Sequence, residues 1–191
     1  FLIESLNNGA KYCITDKKNS TFKNEEKIFF VKNIFLFLKE LAIEKRRLFK
    51  GKVIGITGSA GKTTLKETLS FFLLKQYKIS SSYKSYNNSL GVVLTLLNMD
   101  LKSKYAIFEL GTNNFGEIKQ LVKLVMPSQV IVTNIQSTHL KNFNSKENIA
   151  IEKSAIFNPI YNPKILSLIL YKNCKEENLL FNYAQKFKIK K

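Results

Sequence analysis

The chain has 191 residues, enough for one substantial α/β core, or a core plus part of another. Its two cysteines, Cys13 and Cys174, argue against a disulfide framework, and with His139 as the single histidine a structural zinc site is excluded. The formal charge is +17, but the lysines are spread along the chain without an aromatic-interleaved basic motif, which favours general attraction of anionic small molecules over specific nucleic-acid binding.

In chain order, residues 1–8 read as the end of a helix closed by Gly9, followed by a strand over 10–15. The opening, with Glu4, Asn7 and Asn8 close to Phe1, lacks a signal-peptide pattern. No run reaches the ~18 apolar residues of a membrane span. The nearest candidate, 28–48, is interrupted by Lys32, Lys39, Glu40 and Glu44. A cytoplasmic chain that starts inside a longer polypeptide is the expectation. Residues 16–26 are polar, 28–31 form a short strand, and 33–49 place Ile34, Phe37, Leu38, Leu41 and Leu48 at helical spacing. Lys50-Gly51-Lys52 marks the expected boundary between a first domain, 1–50, and a second, 51–191.

The second domain opens on Val53-Ile54-Gly55-Ile56-Thr57, a β-branched run that ends in Gly58-Ser59-Ala60-Gly61-Lys62-Thr63-Thr64 and leads into an amphipathic helix over 65–77. Strand, glycine turn and helix in this order make a phosphate-binding loop. Two glycines let the backbone approach an anion, Lys62 adds charge near terminal phosphates, and Thr63 offers an oxygen to magnesium. Ile56 stands where the commonest form of this loop has its first glycine, so the pattern is the variant G-x-x-G-K-T-T. A plain strand-to-helix turn is the alternative; a lysine followed by two threonines argues against it.

Strands and helices then alternate: strand 79–83, helix 88–98, strand 105–110, helix 117–125, strand 129–134, helix 146–157, strand 165–171 and helix 176–187. Repeated βα units predict a parallel sheet covered on both faces, with ligands at the carboxyl ends of its strands. The fold class is α/β: a parallel-sheet core carrying the phosphate loop, preceded by the end of a small α/β domain. Glu109 closes an apolar strand beside that loop, where a carboxylate can hold magnesium; a capping or solvent-facing glutamate is the alternative. Asn134 and His139 follow the strand 129–134. Lys153 reads by itself as part of a solvated face.

The loop 56–64 resembles the ATP loop of the Mur ligases, the ATP-dependent amide-forming enzymes of peptidoglycan assembly. Ser85-Tyr86-Asn87-Asn88-Ser89-Leu90-Gly91-Val92 and the E-L-G-x-x-x-x-G-E-I string from Glu109 to Ile118 resemble one branch of that family. That branch joins D-alanyl-D-alanine to a UDP-N-acetylmuramoyl-tripeptide. Thr133-Asn134 through His139 to Phe143, and Lys153-Ser154-Ala155-Ile156-Phe157, resemble further segments of it in the family's order.

The resemblance implies an incomplete Mur ligase central ATP-binding domain over 51–191, the end of a UDP-substrate domain over 1–50, and no C-terminal domain. Gly58, Ser59, Ala60, Gly61, Lys62, Thr63 and Thr64 would hold the ATP phosphates. Thr63 and Glu109 would bind one magnesium ion. His139, together with Lys153 carbamylated by CO2, would bind a second; Lys62, Lys153 and His139 are the implied catalytic residues. Asn87, Asn88 and Asn134 would lie along the substrate cleft. The implied reaction is acyl phosphate formation from a substrate carboxylate and ATP, followed by attack of the D-alanyl-D-alanine amine. The implied protein is a monomer with no nucleic-acid partner, and as a fragment it is expected to be inactive alone. Where family members carry an Asn-x-Asp-like element, this chain reads Tyr171-Lys172-Asn173, which departs from the pattern. Two other readings share the loop: a folylpolyglutamate or cyanophycin synthetase-like ligase, and a non-catalytic ATP-binding remnant.

Overall fold

The computed structural model describes residues 1–17, 25–137, 140–171 and 177–189. His139, Lys172, Asn173 and Cys174 lie outside them. The chain divides into two compact units, Phe1–Leu41 and Ala42–Lys191.

The first unit holds α1 (Leu2–Asn7), β1 (Cys13–Thr15), β2 (Ile28–Phe30) and the start of α2 (Ile34–Leu48). Its two strands pair in parallel, Cys13 opposite Ile28, and Cys13 is a buried free thiol. Gly9, expected to close the first helix, follows α1 at φ 93°, in the left-handed region that glycine commonly takes at a helix end.

The break falls inside α2, before the boundary expected at Lys50-Gly51-Lys52, because the last turns of that helix belong to the second unit. Ala42, Arg46 and Phe49 are buried there at i, i+4 and i+7 spacing. Leu41 and Leu48, expected in the apolar stripe, are instead 42% and 62% exposed. The true inward stripe contains an arginine, which hydropathy alone assigns to solvent. Arg46 donates from Nε to the Val125 carbonyl (2.5 Å) and from Nη2 to the Met126 carbonyl (2.9 Å). It thereby caps the C-terminus of the helix Glu117–Val125, where orphan carbonyls and the negative dipole end favour a cation.

The second unit is a five-stranded, wholly parallel sheet in the order β4-β5-β3-β6-β7. Its strands are β3 (Lys52–Thr57), β4 (Ile79–Ser81), β5 (Tyr105–Glu109), β6 (Gln129–Val132) and β7 (Ser167–Leu170). The helices are α3 (Lys62–Leu74), α4 (Ser89–Asn98), α5 (Glu117–Val125), α6 (Leu140–Phe143), α7 (Lys146–Ser154) and α8 (Glu177–Lys186). The expected α/β architecture is present, and every anticipated element of this unit forms within a few residues of its predicted bounds. Three details differ. The phosphate-loop helix starts at Lys62 rather than Leu65, so the loop lysine and threonines already form its first turn. The helix over 146–157 tightens into a 3-10 turn at Ala155–Phe157. The short α6 was not anticipated, since four residues carry no periodic signal.

Ile54, Ile56 and Ile107 form a buried cluster beneath Leu65, Leu69 and Leu73 of α3. Each such aliphatic side chain contributes about 1.5–3 kcal/mol on burial. Ile56, the apparent anomaly in the loop motif, is therefore a core residue of β3, and the loop proper begins at Gly58. β3 lies between β5 and β6, and the chain crosses from one side of it to the other after β5. This is the switch point at which doubly wound sheets open a crevice beyond their carboxyl ends.

Replacing Arg46 with alanine is expected to lower stability by about 2–4 kcal/mol, because one buried and one partly buried carbonyl at the end of α5 lose a charged donor. Urea denaturation monitored by circular dichroism measures this directly.

Candidate active site

The phosphate loop follows from local chain geometry. Gly58 has φ 146° and Gly61 φ 78°, both conformations that disfavour a Cβ. A Cβ on Gly58 would lie 1.8 Å from Thr133 Oγ1, so the absent side chain is what lets β3 run out against the end of β6. Around Gly61 the corresponding space is open. Gly61 is the N-cap of α3 and supplies no side-chain cap, which leaves the first-turn N–H groups of that helix facing outward as donors.

Asn134 holds this loop from the neighbouring strand end. Its Oδ1 accepts from Ala60 N (2.9 Å) and its carbonyl accepts from Ser59 N (3.0 Å). Thr133 Oγ1 donates to the Ala60 carbonyl (2.6 Å), and Ser59 Oγ exchanges bonds with the backbone of Gln136. Asn134, expected along the substrate cleft, fixes the shape of the loop through its amide oxygen.

Two lysines from different helices meet at one carbonyl. Lys62 Nζ donates to Gly58 O at 2.8 Å and, more distantly, to Ser59 O at 3.4 Å. Lys153 Nζ, reaching in from α7, donates to the same Gly58 oxygen at 3.1 Å and is 3% exposed. Burial lowers the Lys62 pKa, with nearby Glu109 opposing the shift. Lys153 falls further, to about 8, through burial first and repulsion from Lys62 second, while Glu152 opposes. The solvated face that local sequence assigns to Lys153 is therefore not what forms. It is a buried amine within reach of the loop.

Glu109, 1% exposed, stands at the end of β5 with both oxygens engaged. Thr63 Oγ1 donates to Oε2 (2.8 Å) and Asn87 Nδ2 donates to Oε1 (2.8 Å). A hydroxyl and a carboxylate in contact beside the loop are hard oxygen donors of the kind magnesium takes. Among the described residues no group of three His, Cys, Asp or Glu side chains gathers, and Lys153 offers a nitrogen, not an oxygen, while it remains an amine. Asn87 thus joins the site through Glu109, whereas Asn88 caps α4 by accepting from Gly91 N (2.9 Å). Thr64 is exposed on the first turn of α3.

Besides Arg46, sequence reasoning missed two buried charges. Glu152, adjacent to Lys153, turns the other way and accepts from Gly116 N (2.7 Å) and Ile118 N (2.8 Å), capping α5. Glu117 accepts from Asn113 N (2.7 Å), so Gly116, Glu117 and Ile118 of the E-L-G string are architectural and only its first residue reaches the loop. Lys66 is 0% exposed on α3. No local signal separates these two from the many surface charges.

A family model described as the Mur ligase middle domain matches residues 56–191. The chain belongs to the Mur ligase family. It is 36% identical over 174 residues to the UDP-N-acetylmuramoyl-tripeptide--D-alanyl-D-alanine ligase of Rickettsia prowazekii, covering 91% of this chain and 38% of that relative. Crystallised MurF of Acinetobacter baumannii superposes with a TM-score of 0.81 at 29% identity, over 96% of this chain and 40% of that one. MurF of Thermotoga maritima, solved in complex with ADP, gives 0.78 at 28% identity over 96% and 42% of the two chains. The chain therefore spans about two fifths of the length of these Mur ligases, and it carries their parallel-sheet middle domain.

Gly58→Ala is expected to lower stability by about 3 kcal/mol through clash and strain at one site. Adding Thr133→Ala should recover only part of the loss in urea titrations, since the backbone stays in a region that side chains avoid.

Proposed function

We propose that the second unit binds the phosphates of ATP at the loop 58–64 and serves as the ATP-binding core of a ligase that adds D-alanyl-D-alanine to UDP-N-acetylmuramoyl-tripeptide. The observation that carries this reading is the convergence of Lys62 and Lys153 on the carbonyl of Gly58. Two ammonium groups crowded onto one neutral acceptor repel each other, and a polyanion beside the uncapped start of α3 relieves that repulsion. The names of the relatives supply the substrates in this reading, and the ADP in the Thermotoga MurF crystal supports the nucleotide.

Four residues of the loop then have tasks. Gly58 and Gly61 shape a cradle of N–H donors, and Lys62 swings from Gly58 O to the terminal phosphates, neutralising charge that repels an incoming carboxylate. Thr63 and Glu109 fit a magnesium ion, which when bound would screen the phosphate charge and align the transferring group. Asn87 keeps Glu109 oriented toward it. The substrate carboxylate attacks the γ-phosphorus and ADP leaves; the dipeptide amine then attacks the acyl carbon and phosphate leaves.

Lys153 suits carbamylation. A pKa of about 8 leaves much of the amine neutral near that pH, and a neutral amine adds to CO2 with loss of one proton to give a carbamate anion. The product would carry oxygens toward the loop where a cation stood before, providing ligands for a second magnesium ion that His139 would share. The reading also places the protein in the cytoplasm, where these nucleotide-linked precursors and ATP occur; among the described residues no helix is long and apolar enough to cross a membrane.

Lys62→Ala should lower the affinity of the chain for ADP at least tenfold, about 1.4 kcal/mol, as read by calorimetric titration; affinity near wild type would remove the lysine from the site. In 13C NMR with labelled bicarbonate, a carbamate carbonyl signal is expected to rise as pH passes through about 8, following deprotonation of the lowered Lys153 amine, and to be missing from Lys153→Ala. The same shift makes the folded state rise in stability between about 8 and the ordinary lysine value of 10.5, because over that window the unfolded chain holds the extra proton.

A further inference from the structure

Lys66 is fully buried, and each of its three donors has an acceptor. Nζ donates to the Ser82 carbonyl (2.7 Å) and to the Lys84 carbonyl, and it pairs with Glu67 Oε1 (2.9 Å). An ion buried this deeply is costly unless fully paired, and an apolar side chain of similar volume would serve the core as well or better. Its position distinguishes it. It lies one turn beyond Thr63 on α3, and both carbonyls belong to the segment between β4 and α4.

That segment reaches Glu109 by two routes. Ser82, whose carbonyl accepts from Lys66, uses its hydroxyl to accept from the Glu109 backbone N–H (3.3 Å). Beyond Lys84 the segment runs on to Asn87, whose amide holds Glu109 Oε1 and whose carbonyl accepts from Gly111 N (2.9 Å). Lys84 sits at φ 46°, a conformation rare for a side-chain-bearing residue, and its carbonyl points to Lys66.

We propose that Lys66 is a positioning residue for the magnesium-binding pair Thr63 and Glu109: it fastens the Ser82–Asn87 segment to α3, so that the hydroxyl from the helix and the carboxylate from β5 meet in fixed register. The proposal rests on the reading of the loop given above. Residues that orient metal ligands from behind are worth about 10–100-fold in metal affinity when removed, so the effect falls within measurable range.

The test is calorimetric titration of ADP into the whole chain, with and without magnesium chloride. Wild type should bind ADP more tightly with magnesium. Lys66→Met should lose about tenfold or more of that magnesium-dependent gain while its magnesium-free affinity stays unchanged. Lys66→Arg, which keeps the donors, should retain more of the gain than Lys66→Met. Should Lys66→Met fail to fold, Lys84→Pro decides instead. It forces an exposed residue from positive to negative φ, withdraws one acceptor, and should reduce the gain in the same direction. A wild-type gain in Lys66→Met, or in Lys84→Pro where that variant stands in, overturns the proposal. So does an equal loss with and without magnesium. Absence of any ADP binding by wild type overturns the phosphate-loop reading itself, and this proposal with it.

Discussion

The peptide unit of Gly58 is the point on which the rest of the site depends. With no side chain there, the end of β3 can lie against Thr133 and Asn134, and those two residues then shape the following turn through Ala60 and Ser59. The carbonyl of the same residue receives Lys62 from α3 and Lys153 from α7. One glycine therefore brings together a strand end, a loop and two helices. In the proposed reading, the Lys62 cation held there marks where a phosphate would sit before any nucleotide arrives, so positioning would cost little when it does.

Near Lys62 stands a carboxylate under tight control. Glu109 is gripped at its backbone by Ser82 and at its two oxygens by Asn87 and Thr63, from two separate parts of the chain, the segment before α4 and the first turn of α3. Other buried or partly buried acids nearby are used differently. Glu152 and Glu117 satisfy backbone N–H groups at and before the start of α5, where the helix dipole favours negative charge. Acidic residues that look alike in sequence thus divide into one that faces the loop and others that build the wall behind it.

Much of this was legible in the sequence because the signals are local. Periodicity places the strands and helices; a glycine-bearing turn followed by lysine and threonine announces the loop, and a carboxylate closing an apolar strand marks Glu109. What stayed illegible depends on neighbours distant in sequence. Arg46, Lys66, Glu152 and Lys153 are all buried, yet each sits in a helix whose local pattern gives it no distinction from exposed charges. Asn134 and Asn88 were visible as polar residues beside strand and helix ends, but which hydrogen bonds they make was not. The resemblance to Mur ligases picked out Lys153 where physical reasoning from the chain alone did not.

By itself the sequence determined the order of the βα units, the parallel sheet they imply, and the loop that joins β3 to α3, because strand alternation, helix spacing and glycine conformation act over a few residues. Only the tertiary structure decided which lysines turn inward, which oxygens hold Glu109, and which asparagines serve the backbone. A charged side chain is buried only where distant groups complete its hydrogen bonds, and those partners are chosen by the sheet order, in which β5 and β6 flank β3.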